Sequence, residues 1–187
     1  MNGINFEQAV NAGVVQSKTG DLHRLSKLTF VNPVKVEFLR DGKVYHTEEV
    51  HNDIVNQGKN DLFEIMFHDG TQVASSSWFI GLISNSGYSA LSASDTMSSH
   101  SGWTEFTGYS QSTRVAWGPG TAASQSITNA SAATFDINAS GTVKGIFVTT
   151  NSTKGGTSGR LWATALFAAD VPVANGDQLR VTYTVSA

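Results

Sequence analysis

Alternating apolar and polar residues predict a β-hairpin early in the chain. Three apolar residues alternate with polar ones before the Asp41-Gly42 pair, and the alternation resumes as far as Val50. An Asp-Gly pair between two alternating runs is a strong hairpin signal, because both residues tolerate a positive φ. We therefore expect a hairpin over residues 30–50, with one buried face and one solvated face.

A helical pattern follows the hairpin, over residues 52–68. Leu62, Ile65 and Met66 lie on one side of a helix, and two phenylalanines widen this apolar stripe. Gly70 comes just after the pattern and is available for a left-handed cap. We expect a short helix that packs this stripe on the face of a sheet.

The stretch from Trp78 to Trp117 predicts a core strand, a long ordered crossing loop and a second strand. The middle of the stretch is rich in Ser, Gly and Thr, and Trp103 is the residue expected to hold the loop in place. Ser94 and Asp95 suit the first turn of a short helix, with the serine as cap and the aspartate favoured by the helix dipole.

Short strands separated by Gly and Asn turns fill the rest of the chain, so that strands and the long loop together occupy residues 78–187. Many short strands at even spacing are typical of an antiparallel β-sandwich or jelly roll. We therefore expect one mainly β domain over residues 30–187, with one or two short helices. Five more strands are predicted, at residues 125–129, 133–137, 142–150, 161–167 and 179–185.

Residues 1–29 have no strand pattern and are predicted to form an extended N-terminal arm. Two interpretations remain open, a partly disordered terminus or an arm that becomes ordered on a partner chain. Regular apolar residues need a surface on which to be buried, which favours the partner. The candidate contact residues of the arm are Phe6, Val10, Val14, Leu22, Leu25 and Leu28.

Composition narrows the classes of function. The chain has no cysteine, which excludes disulfides and thiolate metal sites. A net charge of −3, with only 14% charged residues, argues against nucleic acid as the main ligand. The first thirty residues lack the apolar core of a signal peptide, and no apolar run is long enough to span a bilayer. We expect a protein made in a cytosol, without a membrane partner.

Candidate catalytic chemistry is weak. No G-x-S-x-G elbow occurs, and a carboxylate pair of Asp95 and Glu105 is less favoured than a structural role for each. Lys154 and Arg160 belong to a Gly-rich loop and are expected to be solvated, with contact to an acidic partner as the alternative. We expect no enzyme activity, no catalytic residue, no cofactor and no metal site. The histidines show no metal-ligand spacing; they are His23, His46, His51, His68 and His100.

The four tryptophans allow two interpretations. Trp78, Trp117 and Trp162 lie in apolar strands and are predicted to belong to the core. Trp103 lies in the crossing loop with Tyr109, and these two residues are candidate loop contacts. Exposed, coplanar rings there would indicate a site for host glycans.

Several segments in order along residues 50–187 resemble a family of small virion-associated structural proteins of tailed bacteriophages. The segments that carry the resemblance are Gly58-Lys59-Asn60-Asp61-Leu62, Trp78-Phe79-Ile80-Gly81-Leu82, Ala93-Ser94-Asp95-Thr96-Met97, Gly102-Trp103-Thr104-Glu105, Arg114-Val115-Ala116-Trp117, Ala133-Thr134-Phe135-Asp136-Ile137, Val143-Lys144-Gly145-Ile146-Phe147 and Gly176-Asp177-Gln178-Leu179-Arg180.

The resemblance implies a structural role in the virion. The first expectation is a capsid decoration (cement) protein that binds the outer face of the major capsid protein and copies of itself, and so stabilises the head. It would be made in the host cytoplasm, and the arm or an edge strand at residues 179–185 would extend a neighbour's sheet. The alternatives are a head-fibre or tail-associated protein, or a carbohydrate-binding module that contacts host glycans.

Overall fold

The computed structural model describes residues 29–187 of the chain, which form two antiparallel sheets, one α-helix and one short 3₁₀ turn. The helix, α1, spans Asn56–Phe67, and the 3₁₀ turn spans Ser75–Ser77. The strands are β1 (Pro33–Arg40), β2 (Lys43–His51), β3 (Asp53–Ile54), β4 (Phe79–Ser84), β5 (Glu105–Phe106), β6 (Val115–Ala116), β7 (Ser126–Thr128), β8 (Ala133–Asp136), β9 (Gly141–Thr149), β10 (Leu161–Val173) and β11 (Gln178–Ser186).

The two sheets share one apolar core. The first sheet has the order β2-β1-β11-β7, with β8 also paired to β11, and the second has the order β3-β10-β9-β4-β5, with β6 paired to β4. Buried residues of both sheets pack together, as where Phe38 of β1 meets Phe167 of β10 edge-on at a centroid distance of 5.7 Å. The prediction of a mainly β fold built from two antiparallel sheets is confirmed.

The first hairpin forms where the alternation predicts it. Asp41 and Gly42 have φ angles of 51° and 74°, as a turn with two positive φ angles requires. The alternating residues of β1 point into the core, whereas most of β2 stays exposed. A register shift between Phe38 and Leu39 turns both of these neighbouring side chains inward.

The helix begins later than its apolar pattern suggests, because residues Asp53–Ile54 pair with β10 as β3. Gly58 is the buried residue of α1 and lies against Trp162 of β10. The predicted left-handed cap at Gly70 is wrong, since its φ is not positive. Instead, the N–H groups of His68 and Gly70 both donate to the carbonyl oxygen of Glu64, which ends the helix.

The last strand is an interior strand, so the prediction of an edge strand at residues 179–185 is wrong. One side of β11 pairs with β1, and its other side pairs with β7 and β8. Alternation shows which face of a strand is buried but not how many neighbours pair with it. Residues 29–187 contain no helix long and apolar enough to cross a membrane.

Candidate functional site

The crossing loop between β4 and β6 is fixed by Trp103 and Asp95. Trp103 is 2% exposed, and its indole Nε1 donates to the Asp95 carboxylate at 3.0 Å. The same carboxylate oxygen accepts the backbone N–H of Ser92 at 3.0 Å. Asp95 therefore closes a turn and holds the indole, and the predicted helix start at Ser94 is wrong.

A buried ion pair joins this loop to the loop after β9. Arg114 is 1% exposed and donates through Nη2 to Glu105 at 2.8 Å, with a second contact from Nε at 3.1 Å. Its other donors reach the carbonyl oxygens of Asn151, at 3.0 Å, and Gly156, at 2.6 Å. The backbone N–H of Gly155 completes the shell of the carboxylate at 2.8 Å. Glu105 and Asp95 thus belong to separate structural networks, each with fixed partners.

Tyr109 is buried beneath this pair. Its hydroxyl donates to Glu105 at 3.3 Å. The pKa of the phenol lies well above its usual value, mainly because the group is buried and also because the Glu105 carboxylate is close. The ammonium group of Lys154 lies 4.3 Å from the centre of the Tyr109 ring and donates to the carbonyl oxygens of Tyr109 and Gln111. Lys154 is therefore bonded within the domain instead of being solvated as predicted.

Burial of Trp103 and Tyr109 contradicts their predicted role as loop contacts. Neither ring has an exposed face on which a sugar could stack, because His100 covers Trp103 at a centroid distance of 4.1 Å and Tyr109 is fully buried. Trp103 lines part of a cavity of about 250 Å³. Two of its charged lining groups, Glu105 and Arg114, are already bonded to each other.

A mainly apolar concavity lies elsewhere, between α1 and three tryptophans. It has a volume of about 340 Å³, and we call it the α1–tryptophan groove. Trp78 packs edge-on against Trp117 and Trp162, at centroid distances of 6.5 and 6.1 Å. The groove is lined by Asp61, Leu62, Ile65, Met66, Gln72, Val73, Ser75, Trp78, Trp117, Pro119, Ile127, Arg160, Trp162 and Val185.

Hydrogen bonds to Tyr183 fix two of these tryptophans. The indole of Trp117 donates to the carbonyl oxygen of Tyr183 at 2.9 Å, and the indole of Trp162 donates to its hydroxyl at 2.8 Å. Asn52 donates to the same hydroxyl at 2.8 Å, and burial raises the pKa of this phenol. With their polar edges bonded inward, the indoles present apolar surface to the groove.

The structure revises the predicted core role of the tryptophans. Trp117 is buried, as expected, whereas Trp78 and Trp162 are only half-buried and form part of the groove wall. Apolar strands predicted burial for all three, but Trp78 lies just before β4 and Trp162 near the start of β10, where both line the groove. No sequence signal placed α1 beside these strand ends.

One face of α1 carries large apolar side chains into solvent. Phe63, Met66 and Phe67 are 58%, 63% and 81% exposed, and we call these three residues the exposed apolar face of α1. The predicted packing of the stripe is correct only in part, because Leu62 and Ile65 are half-buried while Met66 is not. Contiguous apolar surface of this kind marks a site of protein contact.

Charged groups border the groove. Arg160 lies 3.7 Å from Asp61, and 43% of the Arg160 side chain is exposed. Partial burial of Asp61 raises the pKa of its carboxyl group, although the nearby guanidinium acts in the opposite direction. At the end of α1, His68 contacts Glu64 at 2.6 Å. Within residues 29–187, no three His, Asp or Glu side chains come together as a metal site.

The predicted arm contacts and one histidine lie outside the described residues, and their roles stay predictions. They are Phe6, Val10, Val14, Leu22, Leu25, Leu28 and His23.

Comparison of the chain with protein-family models, with curated proteins and with solved structures found no match. The resemblance to virion-associated proteins therefore stays a prediction.

Proposed function

We propose that the protein is a non-enzymatic structural component of a tailed-bacteriophage virion, a decoration protein that binds the outer face of the major capsid protein. The observation that carries this proposal is the exposed apolar face of α1. Phe63, Met66 and Phe67 are exposed and do not belong to the buried core that the two sheets share. The order of segments along residues 50–187 supports the virion class.

The chemistry of this face favours a protein partner. Full burial of a large apolar side chain contributes about 1.5–3 kcal/mol, so two phenylalanines and a methionine supply a small hydrophobic centre for an interface. The Phe63 and Phe67 rings lie 6.3 Å apart on successive turns, which forms a continuous ridge. Many copies on one shell would add such contacts and stabilise the head by mass action.

The buried ion pair and the Trp103–Asp95 contact support a scaffold role for the crossing loop. Glu105 is held by Arg114 and the backbone of Gly155, and Asp95 is held by Trp103 and Ser92. Because these carboxylates accept hydrogen bonds from within the domain, they stabilise one conformation of the loop, as a rigid binding protein requires.

The test is binding of the purified full chain to heads from a phage lysate in which its gene is disrupted. A double variant, Phe63→Ser with Phe67→Ser, removes the apolar ridge, and Val44→Ser is the matched control because Val44 is 50% exposed on β2. Co-sedimentation is expected to be lost in the double variant and kept in the control. Circular dichroism confirms that each variant is folded.

Two results would contradict the proposal. Wild-type protein that does not sediment with heads would remove the decoration role. Binding of the double variant equal to that of the wild-type protein would show that the exposed apolar face of α1 does not contact the head. A density map of the complete virion then distinguishes a shell position from a head-fibre or tail position.

A further inference from the structure

We propose that the α1–tryptophan groove binds the N-terminal segment of the same chain, residues 1–28. This inference concerns the isolated protein and stands whether or not the protein belongs to a virion. It rests on where the described chain begins, on the chemistry of the groove and on the sequence of the segment.

The described chain begins beside the groove. Val31 exchanges two backbone hydrogen bonds with Ser186, and the neighbouring residue Val185 lines the groove. Thr29 and Phe30 line a separate cavity together with Lys59, which lies in the first turns of α1. The segment thus joins the domain between the helix and the strand end that form two of the groove walls.

The length of the segment suffices to fill the groove. At about 3.3 Å per extended residue, 28 residues reach roughly 90 Å, several times the length of a twelve-residue helix at 1.5 Å per residue. The segment is therefore long enough to bind the groove of its own chain. A tethered segment also has a high effective concentration at a nearby site, which favours it over a free competitor.

The sequence of the segment matches the chemistry of the groove. Its walls are mainly apolar, formed by indoles on one side and by Leu62 and Ile65 on the other. Phe6, Val10 and Val14 recur every four residues, the spacing with which an apolar stripe inserts into a hydrophobic groove.

The charges near these anchors also fit. Glu7 is the one acidic residue among residues 1–20, and it follows the first anchor directly. Arg160 stands at the border of the groove, and its 3.7 Å separation from Asp61 is longer than a hydrogen bond. The guanidinium therefore has donors for a second carboxylate, which makes Glu7 its expected partner.

Cysteine cross-linking tests the contact in the full chain, because the natural sequence contains no cysteine. Phe6→Cys, Val10→Cys and Val14→Cys are each combined with Ser75→Cys in the groove wall. The control pairs use Ser140→Cys, an exposed position that lines a different cavity. After mild oxidation, we expect a disulfide within one chain in at least one Ser75 pair, and none in the Ser140 pairs.

The alternative occupants give different results. A disulfide between two chains would assign the groove to the segment of a second copy and overturn binding within one chain. The absence of any disulfide in all three Ser75 pairs would also overturn the proposal. Neither result bears on binding to phage heads, which is measured separately.

Tryptophan fluorescence gives a second test. Phe6→Ser, Val10→Ser and Val14→Ser in one chain are expected to expose the indoles of Trp78 and Trp162 and to increase quenching by acrylamide. The matched control replaces polar residues of the same segment, Gln8 and Gln16, with serine. Equal quenching in both proteins would contradict the contact.

Discussion

Arg114 joins two loops through a charge that is almost completely buried. Replacing it with methionine keeps much of its volume but leaves Glu105 buried without its cation. Because an uncompensated buried charge is costly, we expect Arg114→Met to lower the free energy of unfolding by about 3–5 kcal/mol. Urea unfolding measures the change.

A second substitution separates the charge from the packing. The double variant Arg114→Met with Glu105→Gln no longer has a buried carboxylate. Its free energy of unfolding should therefore fall by less than the sum of the decreases measured for the two single variants. Strict additivity would show that the two side chains do not act as a pair.

The residue contacts of the crossing loop were beyond sequence reasoning. Sequence identified Trp103 as the residue that holds the loop but assigned Asp95 to a helix start. Both assignments use local patterns, and an indole that folds back eight residues to a carboxylate leaves no periodic trace. The buried contacts of Arg114 had no sequence pattern either, because its partners come from β5 and from the loop after β9, which are distant along the chain.

At the scale of elements, Gly58 sets how closely α1 approaches β10. A Cβ at this position would lie 2.5 Å from the carbonyl oxygen of Trp162, which already accepts the N–H of Val55 at 3.1 Å. Alanine improves helix propensity by about 1 kcal/mol, yet the clash forces the helix away from the strand. We expect Gly58→Ala to lower the melting temperature.

The exposed neighbour Lys59 provides the control for this prediction. Lys59→Ala makes no such contact with β10 and should leave the melting temperature nearly unchanged. A higher melting temperature for Gly58→Ala would mean that α1 has room to move.

The turn between β10 and β11 depends on the charge of Asp177. Its carboxylate accepts two hydrogen bonds from Arg40, at 2.7 and 2.8 Å, and the N–H of Ala174 at 2.9 Å. The Arg40 contact lowers the pKa of Asp177 in the folded state, against the opposing effect of burial.

A lowered folded pKa fixes the sign of the pH dependence. The stabilisation is fully present above the unfolded pKa of about 3.9, and it is lost as the pH falls through the lower folded value. We expect Asp177→Asn to unfold at lower urea than the natural protein at pH 7. The difference in stability between the two proteins should shrink below pH 4. A difference that stays constant with pH would show that the substitution acts through the geometry of the turn and not through the charge of Asp177.

Most of the strands could be predicted from period-two alternation and turn residues. The Asp41-Gly42 hairpin and the later strands appear close to their expected positions, because local rules govern both features. The pairing of β11 could not be predicted, since each partner is chosen by contacts across the whole core. The start of α1 was misplaced because β3 takes the two residues before it.

At the scale of the whole molecule, the β domain is expected to fold without its N-terminal segment. Among residues 29–187, the buried residues of the shared core run from Val34 to Tyr183. A chain lacking residues 1–28 should therefore unfold cooperatively in urea. Loss of a cooperative transition would show that the segment belongs to the folding unit.

The α1–tryptophan groove shows why a site is harder to predict than a fold. Trp78, Trp162 and Leu62 are distant along the chain, and they line the groove together only in the folded domain. One sequence signal did exist for the exposed apolar face of α1, whose Met66 also lines this groove. An apolar stripe that includes Phe63 and Phe67 is wider than packing on one sheet requires, which indicates a second contact surface.

The interior position of β11 has a consequence for how fast the protein folds. Arg40 and Asp177 are 137 residues apart, and the first sheet cannot join β1 to β7 and β8 until β11 is in place. Such long-range pairing gives a high contact order, for which we expect slow folding. Until then, β1 has an unpaired edge of alternating apolar residues that can join another unfinished chain. Newly made chains should therefore aggregate more readily at high expression levels than the finished domain does.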